Sequence, residues 1–369
     1  MIKALYIHIP FCDNICLYCD FAKLVASDNL KTQYMNALIN EIKYYKDDIK
    51  NVKTIYIGGG TPSSINLTLL EQLLIEINQL INPDQIKEYT IEANPNDINQ
   101  AFVSLIKKYS INRISIGVQT TNDKLLKLLK RSHKNKDVIK SINLLRKNDI
   151  DNINLDFIYG IPSQSRTDVL TDLAFIEKTK VPHISYYSLI IEDNTELKYL
   201  IDQSKITPLE DDLIADYSIL IKNRLKKSGL SHYETSNYSK SGYESLHNLT
   251  YWNLFEYLGV GLSAASQYLN KRLKNTNRIS EYIKNISNKQ YIRIEEDFNP
   301  ELEFLLMGLR KTEGIQLSEF KSRYKKDVLN KYPVLSKHID NGLLVREEDI
   351  LRFTELGQDL ANQVYIDLL

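Results

Sequence analysis

Cysteine is nearly absent from this chain: there are three in 369 residues, Cys12, Cys16 and Cys19, all within the run HIPFCDNICLYCDF. An odd, clustered set in a chain without a secretory signal excludes a disulfide framework and points to metal. Charge of one sign is missing too. Lys+Arg and Asp+Glu are both 47, a formal net charge of zero that favours neither nucleic acid nor an anionic membrane. No stretch approaches the roughly 20 apolar residues of a spanning helix. The amino terminus, MIKALYIHIPFC, runs straight into a strand and the cysteine loop, leaving no room for a cleavable signal. These absences predict a reducing, cytoplasmic compartment and no transmembrane segment.

What is present is alternation. Short β-branched runs at 4–9, 53–57, 88–93, 113–117, 152–159 and 183–189 are separated by segments with helical apolar spacing at 34–45, 67–80, 101–109, 124–129, 138–146 and 169–177. Crossovers of this length imply parallel strands. The fold class is therefore α/β, and six units fit an incomplete (β/α)6 barrel over residues 1–230 better than an open Rossmann sheet. Residues 231–298 form a connecting region rich in aromatics and glycine, with little regular period. Residues 299–369 read as helix, turn, helix and two short strands, a small α+β, winged-helix-like domain. Its wing would carry Glu347, Glu348 and Asp349, which repel phosphates, so DNA binding is not expected.

The unusual residues follow strand ends: HIPFC, GGGTPSS, EANPND, GVQTT and YGIPSQ come at or after the first five strands. A β/α barrel builds its active site from these C-terminal strand ends. The C-x3-C-x2-C loop brings three thiolates together. A [4Fe–4S] cube takes one cysteine per iron, so three ligands leave one iron open. A closed Cys3His zinc site using His8 or another histidine, and three unrelated buried cysteines, are the alternatives. Gly58–Pro62 places three of only 13 glycines in one turn, where the backbone can approach a carboxylate or phosphate, or simply turn tightly. Glu92, Gln119, Arg131 and Asp156 lie on or beyond strands three to five. Their polar groups suit a cationic or hydroxyl-rich ligand such as a nucleoside, or else internal salt bridges with Arg113 or Arg131. His247, Tyr251 and the sole tryptophan, Trp252, could ligate iron and cover a flat macrocycle, or pack as an aromatic corner. His133 reads as a surface or capping residue.

With these residues in place, the chain resembles the radical S-adenosylmethionine (SAM) superfamily, and more narrowly the proteins related to oxygen-independent coproporphyrinogen III oxidase. YIHIPFCDNICLYCDF, YIGGGTPSS, IEANP, RISIGVQ, LDFIYGIP, HISYYSLIIEDNT and YETSNYSKSGYESLHNLTYW stand in that family's order, over essentially the whole length. The resemblance implies a [4Fe–4S] cluster on Cys12, Cys16 and Cys19, and SAM contacts from Tyr6, Gly59, Gly60, Thr61, Glu92, Gln119, Arg131 and Asp156. The decarboxylating oxidases carry a fourth cysteine two residues after the third, where this chain has Phe21, and an extension before the motif. Both features resemble instead the family's haem-chaperone branch, whose HNxxYW marker stands here at His247–Trp252. That branch implies haem as cargo, held by His247, Tyr251 and Trp252, and a haem-acceptor protein as partner. Decarboxylation of coproporphyrinogen III and another radical SAM reaction are the alternatives. Composition fits a monomer or a homodimer.

Overall fold

The computed structural model describes residues 2–369. Six parallel strands, β1 (Ala4–Ile9), β2 (Thr54–Gly59), β3 (Glu88–Ala93), β4 (Arg113–Gln119), β5 (Ile153–Tyr159) and β6 (His183–Ser188), lie side by side in chain order. The β1–β2 register runs from Ala4 opposite Thr54 to Ile9 opposite Gly59. Every expected strand forms, with β4 reaching Gln119.

Alternation explains how the strands are used, because successive side chains point to opposite faces. Leu5, Ile7 and Ile9, then Ile55 and Ile57, then Ile91, then Ile114 and Ile116 join the main core with the helices. The intervening residues, Thr54, Tyr56, Glu88, Thr90, Glu92, Arg113, Ser115, Asn154, Asp156, His183 and Ser185, make a polar inner face. The helices show matching logic. In Leu67–Leu80, Asn66 caps the first turn by accepting from the Thr68 N–H (2.8 Å), and Leu70, Leu73, Leu74 and Ile77 are buried at helical spacing.

Beyond residue 230 the chain is more regular than its composition suggests. β8 (Asn237–Ser239) pairs antiparallel with β6, and β7 (Ser231–Glu234) pairs antiparallel with β8 at the outer edge. At the other edge β9 (Tyr257–Val260) pairs parallel with β1, followed by β10 (Ala265–Tyr268), β11 (Lys271–Lys274) and β12 (Ile294–Glu296). The result is one 12-stranded sheet. Strands of three or four residues are too short to show a period, which is why this region read as irregular.

A buried ionic knot fixes the β9 edge. Glu41, on the Asp28–Tyr44 helix, pairs with Arg293 (2.9 Å) and accepts from the Gly261 N–H (2.8 Å), the Tyr282 hydroxyl (2.7 Å) and the Asn275 amide (2.8 Å). Every partner comes from residues 261–293, so one carboxylate ties the first crossover helix to the late strands.

The carboxy-terminal residues have a second core of Phe304, Leu305, Phe320, Leu335, Leu351, Phe353 and Val364. Strands β13 (Ile315–Gln316), β14 (Leu344–Glu347) and β15 (Ile350–Phe353) form a separate antiparallel sheet in the order β13-β15-β14. In the wing, Glu347 pairs with Arg352 (2.8 Å), and the Asp349 carboxylate accepts from the Ser318 N–H (2.9 Å). Among the described residues no helix is long and apolar enough to cross a membrane.

His133 is not at the surface. Its ring is buried beneath β4, its Nε2–H donates to the Val118 carbonyl (3.0 Å), and burial lowers its pKa to about 4. The polar surroundings RSHKN concealed it, because Ser132 and Lys134 on either side are exposed while the ring folds inward.

Candidate cluster and nucleotide site

The three cysteines follow the C-terminal end of β1 and are all reduced. The Thr61 hydroxyl, just past β2, donates to Cys12 Sγ (3.5 Å), and one Arg131 nitrogen donates to Cys16 Sγ (3.7 Å). Burial pushes the Cys12 thiol up to about 11, and burial also raises Cys19. A thiolate in this loop is therefore costly unless a cation stabilises it.

A zinc ion with Zn–S bonds of about 2.3 Å needs its sulfurs within roughly 4 Å of one another. Among the described residues no three His, Cys, Asp or Glu side chains are placed to hold one ion. His8 is also committed: its Nε2–H donates to the Ala22 carbonyl (2.7 Å) and its Nδ1 accepts from Tyr6 (3.0 Å). A cube puts each sulfur on a separate iron and needs no fourth protein ligand. The donor set fits a [4Fe–4S] cluster and not a closed Cys3His site with His8.

The glycine turn packs directly on the cysteine loop. Gly60 N–H donates to the Ile9 carbonyl (2.8 Å) and Thr61 N–H to the Phe11 carbonyl (2.7 Å). A Cβ on Gly60 would lie 2.7 Å from the Phe11 oxygen, with only backbone to yield. Gly59 has φ +116°, and a Cβ there would meet the His8 ring at 2.6 Å. Gly60→Ala is therefore expected to displace the cysteine loop and cost about 1–3 kcal/mol. Thermal unfolding together with iron content after reconstitution checks this.

Further inside, the Glu92 carboxylate accepts from the Tyr56 hydroxyl (2.7 Å) and the Gly59 N–H (3.1 Å). Burial, reinforced by the Asp156 charge, raises its pKa to about 7. Asp156 accepts from Ser115 (2.9 Å) and Asn154 (2.7 Å) and is also raised by burial. No ion pair joins either carboxylate to Arg113 or Arg131 among the described residues. Arg131 instead donates to the Asn94 side chain and the Gly117 carbonyl, both at 2.7 Å. Gln119 sits at a register shift between β4 and β5 with φ +68°, a left-handed backbone that re-aims its side chain. A Cβ on Gly117 would come within 2.9 Å of the Gln119 amide, so glycine there keeps the space open. Tyr6 lies beside Tyr56, ring centres 6.2 Å apart. Of the eight residues expected to contact SAM, Gly59, Gly60, Thr61 and Arg131 lie beside the cysteine loop and Glu92 and Gln119 near the C-terminal ends of β3 and β4, while Tyr6 and Asp156 sit mid-strand, deeper in the barrel.

His247, Tyr251 and Trp252 do not join them. They lie on the Leu246–Trp252 helix at the opposite, N-terminal mouth. His247 Nδ1 is hydrogen-bonded to the hydroxyl of Thr54 (2.9 Å), the first residue of β2, and Nε2 to the Tyr251 hydroxyl (2.7 Å). The ring is buried, which lowers its pKa to about 3. Both nitrogens are occupied, so no iron-ligating lone pair faces solvent. Tyr56, Glu88, Asn94, Asn154 and His183 escaped the sequence reading. Their signal was a period of two in polar residues, as in Glu88, Thr90 and Glu92 of EYTIEA, which marks a strand with a wet inner face.

Comparison with known proteins accounts for both the fold and the cysteine loop. The model of the Radical SAM superfamily matches residues 6–176, and that of the HemN C-terminal domain matches residues 302–360. The solved structure of coproporphyrinogen III oxidase (HemN) from Escherichia coli, a radical SAM enzyme, superposes with a TM-score of 0.85 at 20% identity, covering 100% of this chain and 90% of that one. Fold and cysteine loop together define a radical SAM protein with a HemN-type carboxy-terminal domain, a class built around a [4Fe–4S] cluster and SAM. Among curated relatives, the haem chaperone HemW of Lactococcus lactis is 35% identical, covering 98% of this chain and 95% of its own. HemW of Bacillus subtilis is 33% identical, covering 98% of each chain, and HemW of E. coli is 31% identical, covering 98% and 96%. The chain belongs to the HemW family.

Proposed function

We propose that this protein is a cytoplasmic haem carrier that binds haem and passes it to an acceptor protein, on a barrel that also holds SAM. The observation that carries this is Phe21, 62% exposed at the position where the decarboxylating oxidases carry their fourth cysteine. The intact HNLTYW run of the haem-chaperone branch supports it. Cys12, Cys16 and Cys19 would hold a [4Fe–4S] cluster, which would supply an open iron for SAM and the reducing electron for radical chemistry. Around it, Tyr6, Gly59, Gly60, Thr61, Glu92, Gln119, Arg131 and Asp156 bind and orient the nucleoside. The buried Glu92 carboxylate offers negative charge to a cation, Arg131 keeps positive charge beside the sulfurs, and the glycine turn lets the ligand approach the backbone. His247, Tyr251 and Trp252 serve haem.

Porphyrin chromatography after anaerobic incubation with coproporphyrinogen III, SAM and dithionite tests the reading. Unchanged tetracarboxylic porphyrin is expected, and protoporphyrinogen formation would overturn the carrier in favour of the oxidase.

The state of Glu92 gives a pH dependence. Its folded-state pKa, about 7, lies above the ordinary carboxylate value. The buried group is therefore neutral below pH 7, and stability falls as pH rises from the ordinary carboxylate range to 7, because there the same carboxyl ionises in the unfolded chain but not in the folded one. A cationic ligand favours the ionised form, so SAM affinity is expected to fall up to about tenfold per unit below pH 7. Calorimetric titrations from pH 5.5 to 8 check this, and Glu92→Gln should flatten the profile.

A further inference from the structure

The HNxxYW helix is placed where it cannot act as it stands. It closes the barrel's N-terminal mouth, and β2 runs from Thr54, beside His247, to the turn carrying Thr61, beside Cys12. At about 3.3 Å per residue, that separates the His247 ring from the cluster cysteines by roughly 20 Å. Haem on His247 and SAM on the cluster would therefore occupy opposite mouths and not touch.

The helix is held down at its start. Glu88, the first residue of β3 and 3% exposed, accepts from the Leu246 N–H (2.7 Å), the His247 N–H (3.2 Å) and the Ser245 hydroxyl (3.2 Å). One carboxylate thus satisfies two backbone N–H groups that a helix start leaves orphaned. Ser245 N–H also donates to the Tyr233 hydroxyl (3.1 Å), which is hydrogen-bonded to His183 Nε2 (2.8 Å), and His183 Nδ1 meets Asn154 (2.6 Å). The Tyr56 ring, 5.2 Å from that of His247, covers the inner side. Iron cannot reach either ring nitrogen until the bond to Thr54 or to Tyr251 opens and the helix moves.

We propose that the HNxxYW segment is a latched floor plug: Glu88 and Thr54 are positioning residues that hold it shut, and haem is taken at this mouth only when the latch releases. The proposal rests on the reading that His247 ligates haem iron. Haem uptake is then gated by helix opening and its rate saturates with haem concentration.

Two measurements on the full chain, reconstituted anaerobically, test it. Amide hydrogen exchange across residues 245–252 needs no haem. These amides are expected to be protected in the native chain and to exchange at least about tenfold faster in Glu88→Gln, where neutral bonds replace charge-assisted ones. They should also speed up in Thr54→Val, which loses only a hydroxyl and keeps the inner strand packed should Glu88→Gln fail to fold. Stopped-flow haem uptake should reach a plateau rate in the native chain and a higher one in the variants. Uptake that rises linearly to the highest haem concentration, or variants with unchanged exchange, would overturn the latch. A chain that binds no haem but shows the predicted exchange would retain the latch and refute His247 as a ligand.

Discussion

Anaerobically reconstituted Cys16→Ser protein is expected to retain less than about one iron per chain, against about four in the native protein, and to lose the charge-transfer colour of the cluster. The same holds for Cys12→Ser and Cys19→Ser. On the proposed assignment these three sulfurs, the only ones cysteine supplies in this chain, anchor the cube, so removing one leaves two. The surroundings cannot compensate. His8, on β1 ahead of the loop, has both nitrogens engaged, and Thr61 and Arg131 offer donors, not lone pairs, to the sulfurs. The loop lies at a barrel mouth, outside the strand–helix core, so circular dichroism should change little. Four irons in any single variant, by colorimetric assay of purified protein, would remove the cysteine assignment.

A second large effect is on stability. Glu41→Ala is expected to destabilise the protein by about 3–5 kcal/mol, because it leaves Arg293, 5% exposed, as an uncompensated buried charge. It also orphans the Gly261 N–H, the Tyr282 hydroxyl and the Asn275 amide. In a chain of this size that corresponds to roughly 4–6 °C in Tm. A double variant, Glu41→Leu with Arg293→Met, should recover the part of the loss due to the unpaired charge, while the three orphaned donors keep the remainder. Differential scanning calorimetry reads both. A shift below about 1 kcal/mol for Glu41→Ala would mean that the β9 edge is held by packing alone.

The parallel half of the fold was legible because each crossover repeats one pattern: a β-branched run, a polar strand end, then apolar residues at helical spacing. Burial on both sides of the strand–helix layer enforces that pattern locally, so β1 to β6 were found nearly to the residue. The edge strands were not, since β8 has three residues, β7 and β9 to β11 have four, and their pairing is decided by distant neighbours. Glu41 carried no sequence signal either. It sits in NEIKYY like any surface glutamate, and only the return of residues 261–293 makes it interior. The mouth with the cysteines was readable because glycines and cysteines are rare here and fall together. At the other mouth, HNLTYW stood out by composition. Its chemistry depends on Thr54 and Glu88, strand-opening residues that look like ordinary polar ends until the helix closes over them.

Function turns on haem. Titration of haem into the anaerobically reconstituted full chain, followed by the Soret band, should saturate at one haem per chain, and the loaded protein should give its haem to an added apo-haem protein. A titration without saturation, or one that leaves the Soret band where free haem has it, would show that this barrel does not carry haem.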